Sequence, residues 1–485
     1  MECGTKIYRE QLNHSSSITL KQKLAYIISH GHTARGALQT GLLKSLSFEH
    51  EVHIIVKNSS IDSLTHLRDE GIVVHSFSYD IGRNDKFRGI LRSHIHQNIK
   101  TNPALWEKHL QRTRNKKYPL KNRLLNHGFF YLGAIIRSLP GGKKAFKHIE
   151  KDGYFKPYAE KLLKSINPDS IISTRPVDDM EMYLLEAARR LGIHRIFYIL
   201  SWDNITSKGI FPVLGDSYLT WGPIMNEELS QYYNVNSRQT YLTGVTHFDV
   251  HAQVKSREIG YPNILDTIGL NPVKPFLFFT MSASYFAPNE IDIVEHLAQR
   301  VESNHFGEDM QFVIRPHMAN LMADRSDLSW LERLKALNSN RVKVDFPDSD
   351  NSLLTWYMAK DDMIRLSSLL NLAKVCLNSG STIAIEAIYL DKPVIITAFD
   401  TENWPFWSSA RRLRTYVHLE KLFALSACRL VDSLDEMDTM IERYLQNPDL
   451  DSAERQNAIE QECYKNDGKA TERFVENVSK IMQGL

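Results

Sequence analysis

The first group of residues suited to chemistry follows a short apolar run near the start of the chain. It reads Ser29-His30-Gly31-His32-Thr33-Ala34-Arg35-Gly36. The segment has neither the GxGxxG pattern of a dinucleotide site nor the GxxxxGKS/T pattern of a P-loop. Because imidazole titrates near neutral pH, His30 and His32 are both suited to general-base work, with His32 taken as the candidate base and His30 as a candidate substrate contact. A polar turn that caps a helix is the alternative interpretation.

A second group follows the apolar run 195–200 and reads Ser201-Trp202-Asp203-Asn204-Ile205-Thr206-Ser207-Lys208-Gly209. A carboxylate such as Asp203 can accept a proton or a substrate hydroxyl, so it is a second candidate general base. The indole of Trp202 could stack on a sugar ring, and the Asn204 amide could contact the same ligand. An Asx turn anchored by a structural tryptophan is the alternative.

A third group places Arg315 and His317 directly after the apolar run 312–314. Arginine offers a planar fork of donors that suits phosphate, and a histidine can add another donor. This pair therefore predicts contacts to a phosphorylated ligand. An arginine held in a salt bridge is the competing interpretation.

The fourth group is the most informative, and it combines a strand, a turn and a helix start. After the run 375–377 come Asn378, Ser379, Gly380, Ser381 and Thr382, with Glu386 one helical turn further on. A helix that starts near Thr382 presents N–H groups and a positive dipole end to a phosphate. Glu386 would then lie within reach of a ribose hydroxyl. Helix capping by Ser381 alone would explain only the serine.

The elements that must position these groups are short apolar runs alternating with helix-compatible stretches. The pattern pauses in a polar stretch, about residues 250–275, and then begins again. Strands separated by helices predict a parallel sheet covered on both faces, with ligands beyond the carboxyl ends of the strands. The sequence therefore predicts an α/β protein of two Rossmann-like domains, residues 1–249 and 250–485.

Composition excludes several other classes of protein. The chain has 485 residues, 42% hydrophobic and 24% charged, which is typical of a globular protein of two or three domains. Its four cysteines are far apart and form no CxxC pair, so neither a disulfide framework nor a structural zinc site is expected. With no signal peptide or membrane span recognisable in the sequence, we expect a cytoplasmic protein.

One segment, from Ile81 to Lys164, is strongly basic, with 20 Lys and Arg against 5 Asp and Glu. Prolines and glycines break it, so it is predicted to be an insertion of short helices in the first domain. The cations surround an apolar stretch, Phe129 to Ile136, which predicts docking on the anionic inner face of the cytoplasmic membrane. A buried core helix with solvated cations is the alternative. No nucleic-acid partner is expected, because the basic run 111–117 lacks an aromatic RNA-binding signature.

The stretch Asn378 to Ile395 resembles the donor-binding turn, helix and following strand of two-domain nucleotide-sugar transferases with the GT-B fold. Three further segments, 201–209, 243–249 and 315–317, resemble bacterial surface-polysaccharide transferases more narrowly, including relatives of the CDP-glycerol glycerophosphotransferases. The resemblance covers about Leu24 to Thr397. It implies two domains that face a cleft, with the nucleotide bound mainly by the C-terminal domain.

The resemblance implies a glycosyltransferase without a cofactor or a catalytic metal, acting in bacterial cell-surface glycan synthesis such as capsule or O-antigen. A nucleotide-sugar donor would contact Arg315, His317, the turn 379–382 and Glu386. His32 or Asp203 would activate a glycan or lipid-linked acceptor, with His30, Trp202 and Asn204 as acceptor or sugar contacts. Three alternatives remain: transfer of a polyol phosphate from a CDP-polyol, a sugar epimerase, and a non-catalytic binding subunit.

Overall fold

The structure of the protein, a computed structural model, describes residues 21–58, 62–261, 263–321, 329–348 and 358–485. Seven strands form a first sheet in the order β3-β2-β1-β4-β5-β6-β7, and every pair is parallel. These strands are β1 (Lys23–Ile28), β2 (Glu51–Lys57), β3 (Val73–Phe77), β4 (Ser170–Ser173), β5 (His194–Tyr198), β6 (Ser217–Thr220) and β7 (Thr240–Leu242).

A second sheet of six parallel strands has the order β10-β9-β8-β11-β12-β13. Its strands are β8 (Phe276–Thr280), β9 (Gln311–Arg315), β10 (Val342–Val344), β11 (Val375–Asn378), β12 (Val394–Ile396) and β13 (Arg429–Leu430). The central strands of both sheets are buried along their whole length, as apolar runs between two helical layers must be. The predicted pair of Rossmann-like sheets is confirmed.

The helices that precede the second sheet along the chain cover the first sheet and fill the long connection between β3 and β4, and the last two of them pack on the helix Lys360–Leu372. They are α1 (Gly31–Leu38), α2 (Leu42–Glu49), α3 (Arg83–His96), α4 (Pro103–Arg114), α5 (Leu120–Ser138), α6 (Gly142–Gly153), α7 (Pro157–Ile166), α8 (Asp179–Leu191), α9 (Asn204–Ser207), α10 (Pro223–Tyr233), α11 (Asp249–Lys255) and α12 (Ile264–Thr267). Helices α3 to α7 therefore occupy the basic segment of the sequence.

The remaining helices follow the second sheet along the chain. They are α13 (Glu290–Glu302), α14 (Ser329–Ala336), α15 (Lys360–Leu372), α16 (Ile383–Tyr389), α17 (Val417–Ala424), α18 (Leu434–Gln446), α19 (Ser452–Cys463) and α20 (Ala470–Gln483). The last helix returns to the first sheet, where the side-chain amide of Asn477 donates to the carbonyl oxygen of Leu242 at the end of β7 at 3.2 Å. Within the described residues, no helix has the length and hydropathy to cross a membrane.

Helices α3 and α5 approach each other closely at Gly133, where a side chain has no room. A Cβ on Gly133 would lie 2.4 Å from Cβ of His94, closer than real Cβ atoms come. We expect Gly133→Ala to destabilise the protein by about 1–3 kcal/mol, because the two helices must separate. Thermal and urea denaturation measure this loss.

The matched control is Gly128→Ala on the same helix. No heavy atom outside the helix backbone lies within 4 Å of the position of its Cβ. This variant should be neutral or more stable by up to about 1 kcal/mol, because alanine favours helix more than glycine does. Equal effects of the two substitutions would contradict the close packing of α3 against α5.

Candidate active site between the two sheets

A cleft with a volume of about 480 Å³ lies where the carboxyl ends of the two sheets meet. Its wall on the first domain includes His30, Arg35, Arg175, Asp203, Asn204 and His247. Its wall on the second domain includes Thr280, Arg315, His317, Ser381, Thr382 and Glu386. The structure therefore brings together eight residues predicted from the sequence, from all four groups.

The loop that carries His30 is held firmly in place. The N–H of His30 donates to the Thr33 hydroxyl at 3.0 Å, and that hydroxyl donates to the carbonyl oxygen of His30 at 2.6 Å. His32 lies in the first turn of α1, and its side chain is outside the described residues. Its predicted role as the general base stays a prediction.

Below this loop, the carboxyl group of Glu181 joins the ends of β1 and β4. It accepts hydrogen bonds from the Ser29 and Ser173 hydroxyls, each at 2.5 Å, and from the N–H of Arg175 at 2.9 Å. Burial raises the pKa of Glu181 to about 7. The contacts fix the positions of His30 and Arg175 relative to each other on the cleft wall.

Asp203 lines the cleft but is surrounded by donors. The Ser201 and Ser207 hydroxyls donate to its two carboxylate oxygens at 2.7 Å, and the Lys208 ammonium is 3.2 Å away. Burial raises the pKa of Asp203, but Lys208, His418 and the two hydroxyls outweigh burial and hold it below the ordinary range. A carboxylate stabilised in this way is a poor proton acceptor, which argues against the predicted role of Asp203 as the base.

Trp202 does not line the cleft, in contrast to the prediction that it stacks on a sugar. Its side chain is buried, and its ring packs edge-on against that of His418 with the centroids 4.8 Å apart. His418 lies on α17, and its Nδ1 is 3.1 Å from the Thr206 hydroxyl. Trp202 therefore helps to pack the second domain against the first. Its neighbour Asn204 does line the cleft.

Arg315 lines the cleft with its charge already compensated. It is 5% exposed and forms ion pairs with Asp345 and, at 2.5 Å, with Asp362 in the first turn of α15. Burial opposes its charge, but the two carboxylates prevail and raise the pKa of Arg315. These ion pairs favour the competing interpretation, a buried arginine in a salt bridge, and the predicted contact of Arg315 to phosphate stays a prediction.

His317 is half-buried beside Arg315 as a neutral imidazole. Burial lowers the pKa of His317 to about 4. Its Nδ1 accepts a hydrogen bond from the N–H of Ala319 at 3.1 Å, so the proton of the neutral ring is on Nε2. His317 can therefore act as a hydrogen-bond donor, the chemistry predicted from its sequence position.

Two backbone N–H groups of the turn before α16 already donate hydrogen bonds within the protein. The side-chain oxygen of Asn378 accepts from the N–H groups of Gly380 and Ser381 at 2.8 and 3.1 Å. Ser379 is fully buried, and its hydroxyl contacts that of Thr397 at 3.2 Å. Neither Ser379 nor Gly380 lines the cleft, so these two predicted ligands instead shape the turn. Ser381 and Thr382 do line the cleft.

Glu386 connects the two domains. Its carboxylate lies 3.0 Å from Nε2 of His251 and 3.8 Å from the guanidinium of Arg35 on α1. Burial raises the pKa of Glu386, but His251 and Arg35 outweigh burial and lower it to about 2. Glu386 is therefore an anion at neutral pH, with its side chain at the cleft wall.

Three cations and a histidine on the cleft wall were not predicted as site residues from the sequence: Arg35, Arg175, Lys208 and His247. Arg175 comes directly after β4, so the rule that ligands lie beyond the carboxyl ends of parallel strands could have identified it.

Within the described residues, no group of three or more His, Cys, Asp or Glu side chains could hold a metal ion.

No family model and no curated protein matches the chain. Solved structures do match. Neisseria meningitidis UDP-GlcNAc 2-epimerase bound to UDP-GlcNAc is 12% identical, with a TM-score of 0.54 over 95% of this chain and all of that one. S. aureus MnaA with UDP is also 12% identical, with a TM-score of 0.52 over 96% of this chain and 98% of that one.

A Listeria monocytogenes protein, provisionally a UDP-N-acetylglucosamine 2-epimerase, is 13% identical, with a TM-score of 0.55 over 96% of this chain and 97% of that one. At these identities the similarity is one of fold. The protein has the GT-B fold, as its resemblance implied. The comparisons do not support the narrower resemblance to the CDP-glycerol glycerophosphotransferases.

Proposed function

We propose that the protein is an enzyme that binds a nucleotide-activated sugar in the cleft and transfers the sugar to a glycan or lipid-linked acceptor in cell-surface glycan synthesis. The observation that carries the proposal is one cleft with a wall from each sheet. Its volume of about 480 Å³ falls in the usual range of small-molecule sites, ~300–1,000 Å³. The Neisseria and S. aureus proteins of the same fold bind UDP-GlcNAc and UDP.

In this proposal the second domain binds the nucleotide. Glu386 is an anion and can accept a hydrogen bond from a ribose hydroxyl, while Ser381, Thr382 and Nε2–H of His317 donate to phosphate oxygens. Arg35 and Arg175, from the opposite wall, compensate the charge that develops on the leaving nucleotide. These protein cations supply the electrophilic assistance that the departing phosphate requires.

The acceptor hydroxyl must lose a proton to a base on the first domain. His30 and His247 both line the cleft from that domain, and imidazole is a suitable proton acceptor near neutral pH. Asp203 and Asn204 lie on the same wall and can hold the acceptor hydroxyls by accepting and donating hydrogen bonds. One of the two imidazoles thus replaces Asp203 as the proposed base.

The second candidate function is epimerisation of a nucleotide sugar. It is favoured by the structure of the Neisseria UDP-GlcNAc 2-epimerase, which aligns along nearly the whole chain. An epimerase needs no acceptor and leaves the nucleotide attached in its product. The reaction products therefore separate the two functions.

The test is incubation of the purified protein with UDP-, GDP- and CMP-sugars and CDP-glycerol, with and without a membrane-lipid extract, followed by chromatography of nucleotides and sugars. We expect release of a nucleoside diphosphate that requires the extract, and a large loss of turnover in Arg175→Met. Arg238→Met, at an exposed position outside the cleft, is the control.

Each other outcome contradicts the proposal in a distinct way. An epimerised nucleotide sugar without extract would establish the second candidate. CMP release from CDP-glycerol would establish a polyol-phosphate transferase. Nucleotide-sugar binding without any turnover would establish a non-catalytic binding protein.

A further inference from the structure

Helix α5 presents two unlike faces. Its inner face packs on α3 and α4: the ring of Phe129 is 5.4 Å from that of Phe87, and the ring of Phe130 is 4.7 Å from that of His109. Its outer face exposes a stripe of large apolar side chains, spaced so that they fall on one side of the helix. They include Leu120, Leu124, Leu125, Tyr131, Leu132 and Ile135.

The side chains of the stripe are unusually exposed to solvent for large apolar residues. Leu124, Tyr131 and Ile135 are 62%, 63% and 57% exposed. The stripe runs from Leu120 to Ile135, which is about 24 Å along the helix axis. A continuous, solvent-exposed apolar surface of this size is typical of an interaction site.

The charges around the stripe are of one sign. Between Glu107 and Glu150 the sequence contains eleven Lys and Arg residues and no Asp or Glu. Exposed lysines stand at both ends of α5: Lys116 and Lys117 precede it, and Lys143 and Lys144 follow it. A partner for this surface must therefore combine apolar groups with negative charge.

We propose that the outer face of α5 docks on an anionic lipid bilayer, with the helix axis in the plane of the membrane. The acyl region accepts the apolar stripe, and anionic headgroups pair with the lysines at either end. A second copy of the chain fits less well, because a two-fold contact through α5 would bring the same cations together. The apolar stretch expected from the sequence, Phe129 to Ile136, is thus divided between core and surface.

The docking face is linked to the cleft by a short series of contacts. Helix α4 packs on α5. Asn102, which caps α4, donates to the carbonyl oxygen of Thr206 at 2.7 Å, and Lys108 of α4 donates to that of Ser207 at 2.8 Å. Thr206 and Ser207 belong to α9, which follows Asp203 on the cleft wall. Docking through α5 would hold that wall close to the membrane, where a lipid-linked acceptor is located.

The experiment is cosedimentation of the full-length protein with vesicles, without any nucleotide sugar, so that its result is independent of the proposed enzymatic function. We expect binding to vesicles of equal parts phosphatidylglycerol and phosphatidylcholine at low salt. Binding should weaken at least about tenfold with phosphatidylcholine alone or at high salt, because surface charges are then missing or screened.

Two variants separate the contribution of the apolar stripe from that of the lysines, and both change only exposed residues. The triple variant Leu124→Ser, Tyr131→Ser, Ile135→Ser and the quadruple variant Lys116→Gln, Lys117→Gln, Lys143→Gln, Lys144→Gln should each lower binding at least about tenfold. The double variant Phe48→Ser, Val273→Ser changes exposed apolar residues elsewhere and should bind as the wild type does.

Three results would overturn the proposal. The first is no binding of the wild type to anionic vesicles at low salt. The second is undiminished binding by both α5 variants. The third is a wild-type protein that is a dimer in analytical ultracentrifugation while the triple variant is a monomer. That result would mean that the stripe binds a second copy of the chain.

Discussion

An Arg315→Met variant is expected to lose about 3–5 kcal/mol of the free energy of unfolding, because removing the shared partner of two buried carboxylates leaves Asp362 buried without its arginine and Asp345 with Arg365 alone. Arg315 pairs with Asp345 and Asp362, and all three side chains are buried. Methionine has a similar length and no charge, so the loss reports the ion pairs more than the packing. Urea denaturation followed by circular dichroism measures it.

The matched control is Arg333→Met. Arg333 also pairs with two carboxylates, Asp292 at 2.5 Å and Glu295 at 2.7 Å, but at the surface. Exposed pairs contribute little, so this variant should lose no more than about 1 kcal/mol. If Arg315→Met were as stable as the control and bound nucleotide weakly, Arg315 would be a phosphate ligand, as the sequence suggested.

Removing the proposed general base is expected to lower turnover by ~10²–10⁴-fold with little change in the KM for the donor. His30→Gln and His247→Gln are the two variants, and at least one should show this loss. The reason is that glutamine can keep a hydrogen bond but cannot take the acceptor proton near neutral pH. His305→Gln, distant from the cleft lining and paired with Glu442 at 3.3 Å, is the control.

The pH profile distinguishes an imidazole from Asp203. An imidazole base must be neutral, so kcat/KM of the wild type should fall as acidification protonates the imidazole. Because the pKa of Asp203 lies below the usual range of a carboxyl group, a base at that position would stay active far into the acid range. Activity unchanged down to about pH 4, lost only in Asp203→Asn, would contradict the assignment.

The sequence predicted the fold and the location of the site better than it predicted the role of each residue. Alternating strands and helices determine where loops meet, so residues after β1, β5, β9 and β11 share one cleft. The role of Arg315 depends on Asp345 and Asp362, which are 30 and 47 residues away along the chain. No local pattern identifies such partners.

Whether a side chain is buried is equally hard to predict from local sequence. Trp202 stands in a polar segment that favours exposure, yet His418 from α17 covers it. Whether a side chain faces a ligand or a neighbouring element depends on how the two domains pack. The amphipathic character of α5, in contrast, could have been predicted from the spacing of Leu124, Tyr131 and Ile135 alone.

The central claim is that a nucleotide sugar occupies the cleft between the two sheets. The most direct measurement is an experimental structure of the protein with its nucleotide-sugar donor bound. The ligand is UDP-GlcNAc if the protein turns it over, and otherwise the donor that chromatography identifies. We expect the ribose at Glu386 and the diphosphate between the Ser381–Thr382 turn and Arg35 or Arg175. A nucleotide bound outside this cleft, or none bound at saturating concentration, would contradict the account.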